Sequence, residues 1–347
     1  MTHPKVSVLM PVYNGGKYLK EAIQSILDQT FQDYEFLILY DVSEDNSLEI
    51  IKSFKDPRIK LVVLKSNSGL SAALNNGISL AGGQYIARMD CDDISLPERL
   101  ENQVKFMDSK SDIGISGTWM EYIDNNAGKF WKQPVNHERI QTEMLFLSCM
   151  AHPTVIMRKK MLDRCHLKYD ENMKYAEDYD LWVRASKLTC IANLPEILLK
   201  YRKHDGARSI GTTTESCSDV IRRKQLKELV GHFSEEEYSL HASLINMEFM
   251  PTKEYLDKIY IWFNRLLSSN KDKNIYDQQM IEWILAHKWF LASRKLSIME
   301  LLKWRRSWQY AYSYFSAFTF GQKMKSIYLL LNMMLHDGRM FKREAVK

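Results

Sequence analysis

The sequence predicts an α/β protein in which a mostly parallel sheet is flanked by helices and followed by an α-helical C-terminal region. Three observations carry this reading. Short apolar runs alternate with segments of helical periodicity through the first hundred residues. Most of those runs end in polar residues able to do chemistry. From Gly211 on, the turn-forming residues thin out to four glycines and one proline, Pro251, in 137 residues, while charged and apolar residues mix at helical periods.

Each element follows in order. Residues 6–10 (VSVLM) form a short apolar run stopped by Pro11. Leu19, Ala22, Ile23, Ile26 and Leu27 then fall at helical spacing. A second strand spans 35–40 (EFLILY), and Asp45-Asn46-Ser47 offers an N-cap for a helix through Phe54. Residues 59–64 (IKLVVL) make a third strand, Leu70, Ala73, Leu74 and Ile78 a third helix, and 84–89 (QYIARM) a fourth strand. Strand and helix in alternation imply βαβ units, hence a mostly parallel sheet with ligands beyond the carboxyl ends of its strands.

At 347 residues and 45% hydrophobic, the chain is long enough for two domains. Residues 1–210 read as one, with a half 1–100 and a half 101–210, and 211–347 as a helical domain. The net charge of +5 is mild, but its distribution is uneven. Residues 1–210 hold 27 Lys and Arg against 28 Asp and Glu, and 211–347 hold 21 against 15. The cysteines at 91, 149, 165, 190 and 217 are odd in number and never in C-x-x-C spacing, which argues against a disulfide framework and a zinc site and fits a reducing cytoplasm. The N-terminus has no signal-peptide pattern and no stretch approaches 18 apolar residues, so a cytoplasmic location is expected, at most peripheral on the inner face of the membrane.

The strand ends carry the chemistry. No G-x-G-x-x-G follows the first strand and no G-x-x-x-x-G-K-[ST] occurs, which disfavours dinucleotide and P-loop sites. Behind the fourth strand stand Asp90, Asp92 and Asp93. Two such carboxylates about 7 Å apart repel by roughly 2 kcal/mol at an effective dielectric near 20. A bound divalent cation offsets that cost; more modestly, so does a helix N-terminus, and Asp93 or Ser95 is expected to cap the helix opening at Pro97. Capping needs one oxygen, not three carboxylates.

Taken together, VSVLMPVYNGGKYLKEAIQSILDQTFQDYEFLIL, RMDCDDISLPERL and AEDYDLWVRAS resemble, over roughly residues 5–210, a family 2 glycosyltransferase of the GT-A type, a Rossmann-like fold. The resemblance implies an inverting transfer from a nucleoside-diphosphate sugar, typically a UDP-sugar, to a glycan or lipid-linked glycan in bacterial surface polysaccharide assembly. It assigns the nucleotide-sugar to residues 1–100 and the acceptor to 101–210. Asp90 and Asp92 match the family's metal motif, with Asp92 the stronger ligand for Mn²⁺ or Mg²⁺, a choice that suits hard oxygen donors. Pro11 and Tyr13 match its nucleoside wall. Asp41 matches the second Asp of an Asp-Asp-Gly-Ser loop that here reads Tyr40-Asp41-Val42-Ser43, a departure that bears on base preference. Arg88 is placed to meet the diphosphate or to make a structural ion pair. Asp178 matches the catalytic base with Glu177 in reserve, and His204 and His152 lie in segments the family also carries, as site or structural histidines.

The processive members' Gln-x-x-Arg-Trp motif with membrane spans is absent, which implies one or a few sugars added per acceptor. Two rival readings are a metal-dependent nucleotidyltransferase and a catalytically silent nucleotide- or glycan-binding subunit. The tail from 288 to 347 holds 12 Lys and Arg against 3 acidic residues, interleaved with aromatics. It reads as a helical core with solvated bases, or as a membrane-surface patch through 300–347; nucleic-acid binding has no recognised module to support it. The sequence leaves the oligomeric state unassigned.

Overall fold

The computed structural model describes residues 3–65, 68–124, 127–203, 212–246 and 252–293. His204 and the tail from 294 to 347 lie outside the described residues. The chain divides into two compact units, Met1–Arg222 and Arg223–Lys347.

The described residues of the first unit are built on a nine-stranded sheet. Its first half is β1 (Val6–Val12), β2 (Tyr34–Tyr40), β3 (Ile59–Val63) and β4 (Tyr85–Arg88), joined in parallel in the order β3-β2-β1-β4. The crossovers are α1 (Leu19–Leu27), α2 (Ser47–Ser53) and α3 (Leu70–Leu80). Alternating residues of these strands face opposite sides, as the two-residue period requires. Val8, Met10, Phe36, Ile38 and Ala87 pack with Leu19, Ile23 and Ile26 of α1, whereas Leu9, Leu37, Leu39 and Ile86 pack with Leu74 and Ile78 of α3. Gly77 permits that approach: a Cβ there would stand 2.7 Å from a Leu39 methyl. Pro11 is tolerated inside β1 because β4 pairs β1 only over Val6–Leu9, leaving Pro11 with one strand neighbour.

The second half is mixed. β8 (Ile156–Arg158) pairs antiparallel with β4 and with β6 (Ile113–Ile123). β9 (Cys190–Arg202) runs parallel to β6, and β5 (Ile94–Ser95) and β7 (Phe130–Trp131) add short antiparallel edges. Inserting β8 backwards lets β6 and β9 run in the same sense as β4, so their carboxyl ends share the edge of the sheet where β1, β2 and β4 finish. α4 (Arg99–Ser109) packs on the α1 face through Leu100, Val104 and Met107, and α7 (Glu177–Ala185) on the other face through Leu181 and Trp182. The shorter α5 (His137–Glu143) and α6 (Lys159–Arg164) complete this unit together with the start of α8 (Thr212–Val230).

The described residues of the second unit are helical: the end of α8, α9 (Glu235–Asn246), α10 (Lys253–Lys273) and α11 (Gln278–Ser293). Ser234 and Glu237 form a reciprocal capping box at the start of α9, and the Thr252 side chain accepts from the Tyr255 amide to open α10. Leu256, Ile259, Trp262 and Phe263 of α10 and Ile281, Ile284 and Leu285 of α11 are buried. Among the described residues no helix is long and apolar enough to cross a membrane.

One buried side chain pins the element that follows the aspartates. Gln29, at 1% exposure, donates Nε2 to the Ser25 and Leu96 carbonyls and to Ser95 Oγ, and its Oε1 accepts the Leu100 amide at 2.9 Å. The expected cap by Asp93 or Ser95 is therefore corrected. α4 opens at Arg99 with no side-chain cap from its own flank, and Gln29, seventy residues upstream, takes the orphan amide instead. Replacing Gln29 by Leu leaves these buried groups unsatisfied and is expected to cost on the order of 3 kcal/mol in denaturant unfolding.

Candidate active site

The site forms where β1, β2 and β4 end. The β1–α1 and β2–α2 loops are laced together by side chains. The Asn14 amide donates to Ser43 Oγ, Asn14 Oδ1 accepts the Glu44 amide, and Asp45 accepts the Gly16 amide at 2.8 Å. The loops approach closely at Gly16, where a Cβ would meet Asn46 Oδ1 at 2.2 Å and the Asn46 side chain would have to shift. Tyr40, in place of an acidic residue, is buried and bonds through its hydroxyl to the Ser43 amide, so it stiffens the same loop. Asp41 is 5% exposed and accepts the amides of Ser68 and Gly69, tying β2 to the start of α3. Tyr13 and Val42 stand about half exposed at this edge.

The acidic turn follows β4. One carboxylate oxygen from each of Asp90, Asp92 and Asp93 lies within 4.8 Å of the others. At that separation each like-charged pair repels by roughly 3 kcal/mol at an effective dielectric near 20. Burial and the neighbouring aspartates accordingly push the Asp93 carboxyl well above its ordinary range, and Asp90 is raised despite its ion pair with Arg88. Asp93 is 1% exposed; its Oδ1 accepts the Arg202 amide at 2.8 Å, while its Oδ2 has no hydrogen-bond partner. A buried carboxylate oxygen without a donor, beside two more carboxylates, is the environment a hard divalent cation fits, and the donor set is all oxygen.

Arg88 is fully buried and pairs with Asp90, so the structure gives it an ion-pair partner within the site. Behind it, Arg99 donates to the Arg88 carbonyl at 2.6 Å and is pushed down to about 9 by burial and by the Arg88 charge.

Glu177 and Asp178 arrive from the other half of the sheet. They open α7, where three acidic residues of the first turn meet the positive end of the helix. The preceding Tyr175 sits at φ +67°, which turns the chain into the helix. Asp180 is buried and accepts from Arg184 at 2.7 Å, but Glu177 Oε2 is buried with no partner. Burial and then the Glu177 charge push Asp178 up to about 6, and Glu177 in turn raises Asp90. The two carboxylate groups, one from each half of the chain, thus share one electrostatic neighbourhood.

His152 lies on a 3₁₀ turn (His152–Thr154) and hydrogen-bonds through Nε2 to the hydroxyl of buried Tyr169 at 2.8 Å. Trp182 of α7 meets its ring edge-on. Tyr169 is held in turn by Asn75 of α3 through its own amide and carbonyl. Arg88, Asp90, Asp92, Glu177 and Asp178 are therefore brought together; Pro11, Tyr13 and Asp41 line the neighbouring strand ends; and His204 lies outside the described residues. Asp93, Arg99, Tyr169 and Arg202 join the site without having been singled out for it. Only Asp93 carried a sequence signal, its place in the cluster.

The sequence pattern of Glycosyl transferase family 2 matches residues 7–167. The O-antigen biosynthesis glycosyltransferase WbnJ of Escherichia coli is 37% identical over 233 residues, 64% of this chain and 89% of that protein. The chain belongs to glycosyltransferase family 2. A glycosyltransferase of Methanocaldococcus jannaschii, of uncharacterized role, is 39% identical over 215 residues, 58% of this chain and 72% of its own length. The family fold is also that of residues 1–349 of Staphylococcus aureus TarS in complex with UDP-GlcNAc. The two superpose with a TM-score of 0.56 at 18% identity, over 82% of this chain and 87% of that one. Against a longer TarS chain the match spans 52% of its length. Family membership makes the protein a glycosyltransferase and sets the nucleotidyltransferase reading aside.

The raised Asp178 has a measurable consequence. Its ionised form is disfavoured in the folded state, so the fold loses stability as pH rises from the unfolded value near 4 through about 6. Asp178→Asn removes that penalty. We expect the variant to be more stable than the parent at pH 8 by on the order of 1–3 kcal/mol, and the two to converge below pH 4, by thermal unfolding across pH.

Proposed function

We propose that the protein is an inverting glycosyltransferase that moves a sugar from a nucleoside-diphosphate sugar, UDP-sugars first, to a glycan or lipid-linked glycan acceptor during bacterial surface polysaccharide assembly. The observation that carries this reading is the meeting of the Asp90–Asp92–Asp93 cluster with the Glu177–Asp178 pair around buried Arg88. The O-antigen role named for WbnJ and the UDP-GlcNAc held by TarS support it. Residues 1–100 supply the donor side and 101–210 the acceptor side, followed by the helical region 211–347.

In this mechanism Pro11 and Tyr13 flank the nucleoside and Asp41 faces the base. A divalent cation, Mn²⁺ or Mg²⁺, held by Asp92 with Asp90 and Asp93 would neutralise charge growing on the departing diphosphate. Arg88 sets Asp90 through their ion pair and adds positive potential. Asp178 accepts the proton of the acceptor hydroxyl as that oxygen attacks the anomeric carbon. The bond from that carbon to the diphosphate oxygen breaks with its electron pair leaving on the nucleotide, and the configuration inverts. A base with its carboxyl near 6 is mostly ionised at neutral pH yet more basic than an ordinary aspartate, which suits it to this step. Glu177, adjacent and unsatisfied, raises that basicity. His204 and a membrane contact through 300–347, on the cytoplasmic face, belong to the same proposal; membrane contact would bring a lipid-linked acceptor to the site.

Three measurements test it. Asp92→Ala is expected to abolish Mn²⁺-dependent UDP binding in calorimetry; undiminished affinity would remove Asp92 from the site. Asp178→Asn should keep donor binding while transfer falls by about 10³-fold or more, and a normal turnover number disqualifies it as the base. The parent's kcat/KM should fall with decreasing pH on a limb near 6, since protonated Asp178 cannot accept; a flat profile from pH 5 to 8 contradicts that role.

A further inference from the structure

Arg202 ends β9 and is buried at 7% exposure. Its backbone amide donates to Asp93 Oδ1 at 2.8 Å and its Nε to the Asp92 carbonyl oxygen at 2.9 Å. Nη1 donates to Asp124 at 2.6 Å, Nη2 to Glu21 at 2.7 Å, and the guanidinium stacks on the Tyr18 ring with its carbon 4.2 Å from the centroid. One residue therefore joins the end of β9, the acidic turn, the end of β6 and helix α1.

We propose that Arg202 is a positioning residue that clamps the Asp92–Asp93 peptides, so that the unpartnered Asp93 Oδ2 and the Asp92 carboxylate are preset to receive a divalent cation. The inference rests on the cation reading given above. The geometry favours clamping over charge compensation. The guanidinium spends its two terminal nitrogens on Glu21 and Asp124, outside the cluster, and offers the acidic turn only Nε, to a main-chain carbonyl. Glu21 and Asp124 hold the planar fork from one side and Tyr18 from its face, which fixes where Nε can point. Their side chains are 57% and 45% exposed, so both rehydrate if the arginine is lost. The two roles predict opposite signs. If Arg202 acted through its charge, removing a cation near three aspartates would tighten divalent binding. If it positions the turn, removal loosens binding.

The experiment uses the full chain with Mn²⁺ alone as probe, followed by calorimetry or by the electron paramagnetic resonance of free Mn²⁺, alongside transfer kinetics over a Mn²⁺ series. Arg202→Gln is expected to weaken Mn²⁺ binding by about tenfold or more, with turnover at saturating Mn²⁺ returning to within a few-fold of the parent, so that the loss sits in the metal dependence and not in kcat. Arg202→Lys keeps the charge without the fork and should weaken binding as well, by a few-fold. Glu21→Ala, at an exposed position, removes one anchor of the fork and should weaken it by about twofold to threefold; it stands in for Arg202→Gln should that variant not fold. Unchanged or tighter Mn²⁺ binding in a folded variant overturns the proposal and leaves the cation reading standing. Absence of Mn²⁺ binding in the parent overturns both.

Discussion

The constraint on which the site depends is crowded negative charge, partly withdrawn from water. Asp90, Asp92, Asp93, Glu177 and Asp178 share one electrostatic neighbourhood, and among the described residues buried Arg88 pairs within it through Asp90. Arg99 and Arg202 stand further back, one on the Arg88 carbonyl and the other on the backbone of the turn. Left to relax, a chain would rotate such carboxylates apart or protonate them. The fold prevents the first through Gln29 and Arg202, which fix the turn from both sides, and the raised Asp93 and Asp178 record the second. Stability is sacrificed locally, in keeping with strain concentrated where function needs it.

Much of the first half was legible in the sequence because parallel strands buried on both faces read as continuous apolar runs between amphipathic helices. The runs at 6–10, 35–40, 59–64 and 84–89 correspond to β1 to β4, and the helical spacing from Leu19 and from Leu70 to α1 and α3. The aspartates were legible for another reason: three carboxylates in four positions cannot be explained by local structure. The expected cap at Pro97 failed because it was judged from neighbours in sequence, whereas the orphan amide is satisfied by Gln29 across the fold. Propensity describes flanking residues; capping answers to any oxygen that tertiary packing delivers.

The second half was less legible for the same physical reason. β8 is three residues long and β5 and β7 are two each, too short to carry a period, and β8's reversed direction follows from packing alone. Arg202 closes a run, ILLKYR, that reads as an ordinary strand end; its four-way role exists only because β9 folds back over the acidic turn. Tyr169 lies in a segment with no regular element, and its place beside His152 depends on Asn75, ninety-four residues upstream, holding its backbone. Side chains that act through long-range partners leave no local trace.

The two halves also differ in how firmly they are set. On the proposed donor side, Asn14 with Ser43 and Glu44, Gly16 with Asp45, and Asp41 with Ser68 and Gly69 cross-brace three loops through side-chain-to-backbone bonds. On the proposed acceptor side the bracing stops short of the chemistry. Asp180 is paired to Arg184 and Tyr179 to the Met144 carbonyl, yet Glu177 between them and the turn keeps a buried oxygen with no donor. A nucleotide leaving group must be met by groups already in place, because reorganisation during bond breaking adds to the barrier. A base must instead exchange its proton with an incoming hydroxyl, and Asp178, raised in basicity by burial and then by the Glu177 charge beside it, suits that proposed step. The braced turn and the Glu177 oxygen left without a donor would thus be complementary in the proposed reaction.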